Sequence, residues 1–275
     1  MISIRSSLLP TYLDCPRRAA AQQWPDTVAS SGHKLRRQNK NVLALIGTGT
    51  HSGAQYQMIC KKDGEVLTDG LCSRSVEAGI CKYREEAQDG VDYDDTTRNQ
   101  NAAETQITRL TKLYYFEVAP EINPYWIEKQ MEVIFGEWRV SGQLDILTQK
   151  TEHTFGLRDT KTGAKIKLHQ AQLGNYAMLA SRELKKINSK YSIADCGIDF
   201  LHRAALNKPV SHKYLGYNLR TAERLALETL RRIKYDYTNF IEAGDPWCFM
   251  VNTNSMLCSP KYCRAFGTDW CEVTQ

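Results

Sequence analysis

The chain has 275 residues, of which 42% are hydrophobic and 24% charged. Those averages exclude a disordered chain, a collagen and a coiled coil, and this length buries a sizeable core without staples. Lysine and arginine number 36 against 31 acidic residues, a net +5 that permits a nucleic-acid partner without demanding one.

No apolar run approaches the ~18 residues of a membrane span. The opening MISIRSSLLPTYLDCPRRAA lacks the long apolar stretch of a signal peptide. The nine cysteines are an odd number in a chain read as having no export signal. They argue for reduced thiols and a metal or cluster site rather than a disulfide framework.

Leu8, Leu9, Tyr12 and Leu13 fall at helical spacing, so residues 1–24 read as a helical start that includes Cys15-Pro16. Residues 25–45 are polar and basic, with no clear period. Gly47-Thr48-Gly49-Thr50-His51-Ser52-Gly53 reads as a tight turn leading into a helix through Tyr56 and Met58. Residues 60–100 carry the acidic run DGVDYDD and read as a surface insertion with short helices. Asn101-x-x-Glu104 has the form of a capping box, and Ile107, Leu110, Tyr114 and Val118 continue that helix to Pro120.

The period then changes. Ile127, Lys129, Met131 and Val133 alternate with Glu128, Gln130 and Glu132, which predicts a strand. Gly136-Glu137 turns the chain, Trp138 to Leu147 makes a second strand, and His153 to Lys161 a third. Residues 169–186 predict a helix, Ile198 to His202 and Lys213 to Asn218 two more strands, and 221–243 the clearest helix, ended by Gly244. The last thirty residues or so have turn composition. The order predicts one α/β domain: a mixed central sheet flanked by helices. Residues 1–120 would form a mainly helical N-terminal lobe, 121–245 the α/β core, and 246–275 a cysteine-rich tail.

Asp159-Thr160-Lys161 ends the third predicted strand. Residues i and i+2 of a strand share a face, so Asp159 and Lys161 project together. A carboxylate and an ammonium in one small space suit phosphodiester hydrolysis: the acid holds a divalent cation, and the lysine orients or deprotonates the attacking water. Gly142-x-x-Asp145 ends the adjacent strand and brings Asp145 near Asp159 if the two strands form a hairpin. Two facing carboxylates are oxygen ligands suited to Mg²⁺ or Mn²⁺. Glu128 and Glu132 on the preceding strand are further candidates. Gln172 and Tyr176 share one helix face at i and i+4, able to bond phosphate oxygens or the carboxylates. His51 offers an imidazole nitrogen to the metal.

Cys258, Cys263 and Cys271 stand close together in CSPKYCRAFGTDWC. A fourth ligand is either Cys248, nearby, or Cys15, far away. The absence of a CxxC pair argues against a zinc ribbon, whereas a four-cysteine iron–sulfur cluster tolerates wider spacing. Cys60, Cys72, Cys81 and Cys196 read as thiols outside any site.

Taken together, His51, Gly142-x-x-Asp145, Asp159-Thr160-Lys161 and Gln172-x-x-x-Tyr176 come in an order that resembles the RecB-like nucleases of the PD-(D/E)XK superfamily. Cys15 in Tyr-Leu-Asp-Cys-Pro-Arg-Arg, with three cysteines near the C-terminus, resembles the iron–sulfur branch. That branch includes the CRISPR-associated exonuclease, AddB-type subunits and small phage-encoded versions.

The resemblance implies a restriction-endonuclease-like core. Asp145 and Asp159 would bind the catalytic cation, with His51 and the Thr160 carbonyl as further ligands. Lys161 would serve the attacking water, and Gln172 and Tyr176 would support the site and the strand. Cys15, Cys258, Cys263 and Cys271 would hold a 4Fe–4S cluster, with Cys248 in reserve because the tail spacing departs from the family's. The implied activity is a metal-dependent DNA exonuclease on single-stranded or end-processed DNA, in the cytoplasm of a bacterial or phage-infected cell, with a recombination or CRISPR-adaptation partner and no membrane. The alternatives are a non-catalytic DNA-end-binding accessory subunit and a zinc-stabilised nucleic-acid-binding protein.

Overall fold

A computed structural model describes residues 1–272. The chain opens with a strand, β1 (Ile2–Arg5), before the helices α1 (Leu8–Asp14), α2 (Pro16–Gln23) and α3 (Pro25–Ser30). The predicted helical start therefore begins later than expected. Four residues are too few for their alternation to stand out, and only a partner strand fixes them. Between α1 and α2, Pro16 occupies the first helical position, where its missing N–H costs nothing.

After β2 (Lys40–Asn41), α4 (Val42–Lys62) starts earlier than the glycines suggested. Asn41 caps it by accepting from the Leu43 N–H. Gly49 and Gly53 lie inside this helix, where α5 (Asp69–Ala87) crosses it. A Cβ on Gly49 would sit 2.8 Å from the Gly79 carbonyl, and one on Gly53 2.8 Å from the Ser75 carbonyl. The glycine-rich run is thus a helix crossing, not a turn. The stretch read as an insertion of short helices holds α5, whose Leu71, Cys72, Ser75, Gly79 and Tyr83 are buried at helical spacing. Small residues on a crossing face look polar in sequence, which hid the helix.

β3 (Val91–Asp92) pairs with β2, and α6 (Gln100–Leu113) follows. Its cap is Asn99, which accepts from the Ala102 N–H at 2.9 Å, so Asn101 is not the start of a capping box. Glu104 instead pairs with Arg84 at 2.8 Å. A wide π-helical turn over Tyr114–Val118 and a 3₁₀ turn over Ala119–Glu121 end the helix.

The sheet comes from β4 (Pro124–Phe135), β5 (Trp138–Gln149), β6 (Thr154–Gly163), β7 (Ser192–His202) and β8 (Ser211–Tyr217), with β1 added. Strands β4, β5 and β6 form an antiparallel meander. The helix α7 (Gln170–Ile187) carries the chain across to β7, parallel to β6, and β8 returns antiparallel. The result is the expected mixed sheet flanked by helices. Ile107 and Leu110 of α6 pack on one face, against Ile146 and Leu201. Leu173, Ala177 and Leu184 of α7 pack on the other, against Leu144, Leu157 and Ile198.

The last helix, α8 (Leu219–Ala243), lies behind α7. A Cβ on Gly174 would overlap the Ala222 carbonyl, so this glycine sets how closely the two helices approach. Gly244 ends α8 at φ 66°, a left-handed cap that glycine adopts freely. The tail then folds back on α1 to α3 and α8, and Trp24, Phe240, Phe249 and Trp270 share one apolar cluster.

Candidate active site

Strand β5 carries two different partners along one edge. β1 pairs with Trp138 to Ser141, and β6 pairs with Ile146 to Gln149. The segment Gly142–Asp145 lies between them, where the edge is open. Carried one residue further, the β5–β6 register sets Asp145 opposite Asp159, the point at which the ladder stops. The Thr160 N–H donates to Asp145 Oδ2 at 2.7 Å instead of to a strand carbonyl. This fork brings the two predicted aspartates together.

His51 reaches the same carboxylate from α4, with Nδ1 3.2 Å from Asp145 Oδ2. Glu128 arrives from β4, whose pairing of Ile127 with Ile146 and Lys129 with Leu144 sets it across from Asp145. Ligand atoms of His51, Glu128 and Asp145 all lie within 4.8 Å of one another. Asp159 stands beside this trio, with Oδ2 2.7 Å from Lys161 Nζ. Glu132, the other acid weighed on β4, is exposed and faces Arg139 at 3.8 Å. Glu128 has a left-handed backbone, φ 48°, which breaks the strand alternation and separates it from Glu132.

The electrostatics favour a cation. Asp159 is 1% exposed, and its Oδ1 accepts no hydrogen bond among the described residues. Burial raises its pKa above the ordinary carboxylate range despite Lys161 beside it, and Asp145 adds to the rise. Glu128 is pushed up to about 7, first by burial and then by Asp145. Asp145 is also buried, but His51, Lys161 and the Thr160 N–H outweigh that and hold its pKa low. Burial pulls Lys161 down, but Asp159 and Asp145 win and keep it raised, so it stays an ammonium. Three carboxyl groups and an imidazole around an unsatisfied oxygen are a donor set for a hard divalent cation.

Gln172 and Tyr176 flank the fork on α7, with Gln172 Nε2 donating to the Tyr176 hydroxyl at 2.8 Å. A Cβ on Gly142 would overlap Ser6 Oγ and lie 2.7 Å from the Tyr176 ring, so the glycine of Gly142-x-x-Asp145 leaves room for both. His169 Nδ1 lies 3.3 Å from Gln172 Oε1, and burial lowers its pKa to about 4, leaving it neutral. Sequence reasoning missed Ser6 and Asn175. The Asn175 side chain donates to Ser6 Oγ at 2.7 Å, and Ser6 Oγ donates to the Ser141 carbonyl at 3.0 Å. These bonds tie α7 to the base of the fork, and no local pattern announces them.

A family description, the PD-(D/E)XK nuclease superfamily, matches residues 6–264. The chain belongs to this superfamily. No protein among the curated sequences matches it. A solved structure from Eubacterium rectale, described as a "Putative exonuclease", aligns at 8% identity with a TM-score of 0.53. The alignment covers 94% of this chain and 87% of that one, and it shows a shared fold. A second solved structure, described as SSO0001, aligns at 13% identity over 80% of this chain and 92% of that one. Its TM-score of 0.27 is too low to bear on the fold.

Away from this nuclease fork, Cys15, Cys258, Cys263 and Cys271 line one small cavity, and Cys248 is not among its lining residues. Arg17 and Arg18 line it too and are 2% and 3% exposed. Arg17 donates to the Phe249 and Trp270 carbonyls at 3.0 and 2.8 Å, while its buried Nη2 has no hydrogen bond among the described residues. Arg18 bonds Ser255 and Asp14. Among the described residues, no three of the cysteine sulfurs lie within 4.8 Å of one another.

Proposed function

We propose that the protein is a divalent-metal-dependent DNA exonuclease acting on single-stranded or end-processed DNA, with a 4Fe–4S cluster that stabilises its fold. The observation that carries the activity is the fork at Asp145, where His51, Glu128 and Asp145 meet beside the Asp159–Lys161 pair. His51, Glu128, Asp145 and Asp159 would hold Mg²⁺ or Mn²⁺, with the Thr160 carbonyl as a further ligand. Such a cation supplies Lewis acidity toward a phosphoryl oxygen and lowers the pKa of a bound water.

The chain's own residues do the rest. Lys161, held as an ammonium by Asp159, donates to the attacking water and offsets charge growing on the phosphate. The Thr160 N–H fixes the Asp145 carboxylate. Tyr176 and Gln172 brace the fork from α7 and offer polar groups to the strand. The family likeness implies products with a 5′-phosphate.

The four cysteines around one cavity support the cluster. The buried Arg17 and Arg18 supply positive charge where anionic thiolates would gather.

The test is cleavage of end-labelled single- and double-stranded DNA with Mn²⁺, Mg²⁺ or EDTA, beside Lys161→Ala. Cation-dependent degradation is expected from the wild type, with a loss of at least a hundredfold in the variant while DNA binding persists. Equal cleavage by Lys161→Ala would move the chemistry elsewhere. No cleavage by folded, iron-loaded protein would favour the accessory DNA-binding role.

A further inference from the structure

Lys161 also lines a cleft on the side away from His51 and Glu128. Its walls are α1, the loop from β6 to α7, and residues 252–257 of the tail. It encloses about 720 Å³, within the range that takes a drug-sized ligand and on the order of two nucleotides.

Each wall contributes one large, solvent-exposed apolar side chain. Leu13 is 50% exposed, Leu168 78% and Met256 70%. A single exposed leucine needs no explanation, but three lining one concavity beside a catalytic lysine do. Lys167 lines the same cleft beside Lys161, whereas the buried Arg18 is paired with Asp14, so Lys167 borders the apolar surface with positive charge. The cleft along α4 on the other side of Lys161 is mainly polar, with Thr48, Ser52, Gln55 and Gln143 beside His51 and Glu128.

A nucleic acid presents charged phosphates and apolar base faces. A duplex hides the base faces in its stack, so an apolar lining gains nothing from it. An unpaired strand offers both surfaces at once. We infer that this cleft holds the unpaired bases next to the scissile phosphate, with Leu168 and Met256 against base faces and Lys167 toward phosphates. The inference rests on the nuclease reading above and narrows its substrate to a strand unpaired for about two nucleotides beside the cut.

The experiment measures binding in EDTA, where the nuclease is silent, using fluorescence anisotropy. The probes are a labelled single-stranded oligonucleotide and the blunt duplex of the same sequence. Leu168→Ala with Met256→Ala should weaken single-strand binding about tenfold, and leave duplex binding and the salt dependence of both unchanged. Both side chains are exposed, so the fold is not at stake. Leu168→Trp, with a larger face for stacking, should tighten single-strand binding several-fold. With Mn²⁺ present, the double variant should raise KM by the same factor at constant kcat. Equal losses on both probes, or no loss on either, would overturn the inference. Loss of single-strand binding by a protein that never cuts would uphold the cleft and sink the nuclease reading instead.

Discussion

Glu128 shows how much a single residue contributes to this site. Its carboxyl group titrates near 7 because burial and the neighbouring Asp145 disfavour its charge. A cation needs the ionised form, so protons compete with metal below that pH. Mn²⁺ affinity should rise up to about tenfold per pH unit toward 7 and then level off, and Glu128→Gln should flatten the slope. Calorimetric titration across this range checks it; a slope kept in the variant would assign the proton to another group.

The same shift bears on stability. The folded state binds this proton more tightly than the unfolded chain, whose glutamate has the ordinary value of 4.5. Its contribution is therefore complete below 4.5 and lost as pH rises through about 7. Melts in EDTA should show this loss, and added Mn²⁺ should restore stability most above pH 7. An Mn²⁺ effect that does not grow with pH would contradict the assignment.

Among the elements, the fork in β5 depends on how tightly α7 lies over it. Gly142 leaves room for the Tyr176 ring and Ser6 Oγ, so Gly142→Ala must push α7 away or bend β5. Overpacking of this kind costs about 1–3 kcal/mol, and each kcal/mol lowers Tm by about 2–4 °C in a chain of this size. Activity should fall further than stability, because the displaced helix carries Gln172 and Tyr176 and the bent strand carries Asp145. Comparing kcat and Tm side by side tests this. A variant that melts earlier yet cuts at the wild-type rate would show that the fork tolerates a shifted α7.

For the whole molecule, the decisive link is between the two ends of the chain. Arg17 is bonded to the carbonyls of Phe249 and Trp270, and Cys15 lines the cavity that Cys258, Cys263 and Cys271 line. A cluster there would close a loop of more than 240 residues, restricting the unfolded chain. Cys15→Ala, purified without oxygen, should lose most of its iron and visible absorption and melt earlier. Cys248→Ala should keep both. Full iron in Cys15→Ala with loss in Cys248→Ala would transfer the fourth ligand to Cys248.

The sequence by itself determined what repeats locally. Alternation marked β4, and helical periodicity marked α8, because each pattern is set by burial of one face. The i, i+2 rule on β6 put Asp159 beside Lys161, and the i, i+4 rule on α7 joined Gln172 to Tyr176. Tertiary structure decided what depends on distant partners. β1 has meaning only against β5, and the glycines of α4 only against α5. Glu128 separated from Glu132 because its left-handed backbone turned it toward Asp145 across the strand pair. Cys15 joined the tail cysteines because the last segment packs back on α1 and α2. Local pattern fixes which face is buried; only packing fixes what it is buried against.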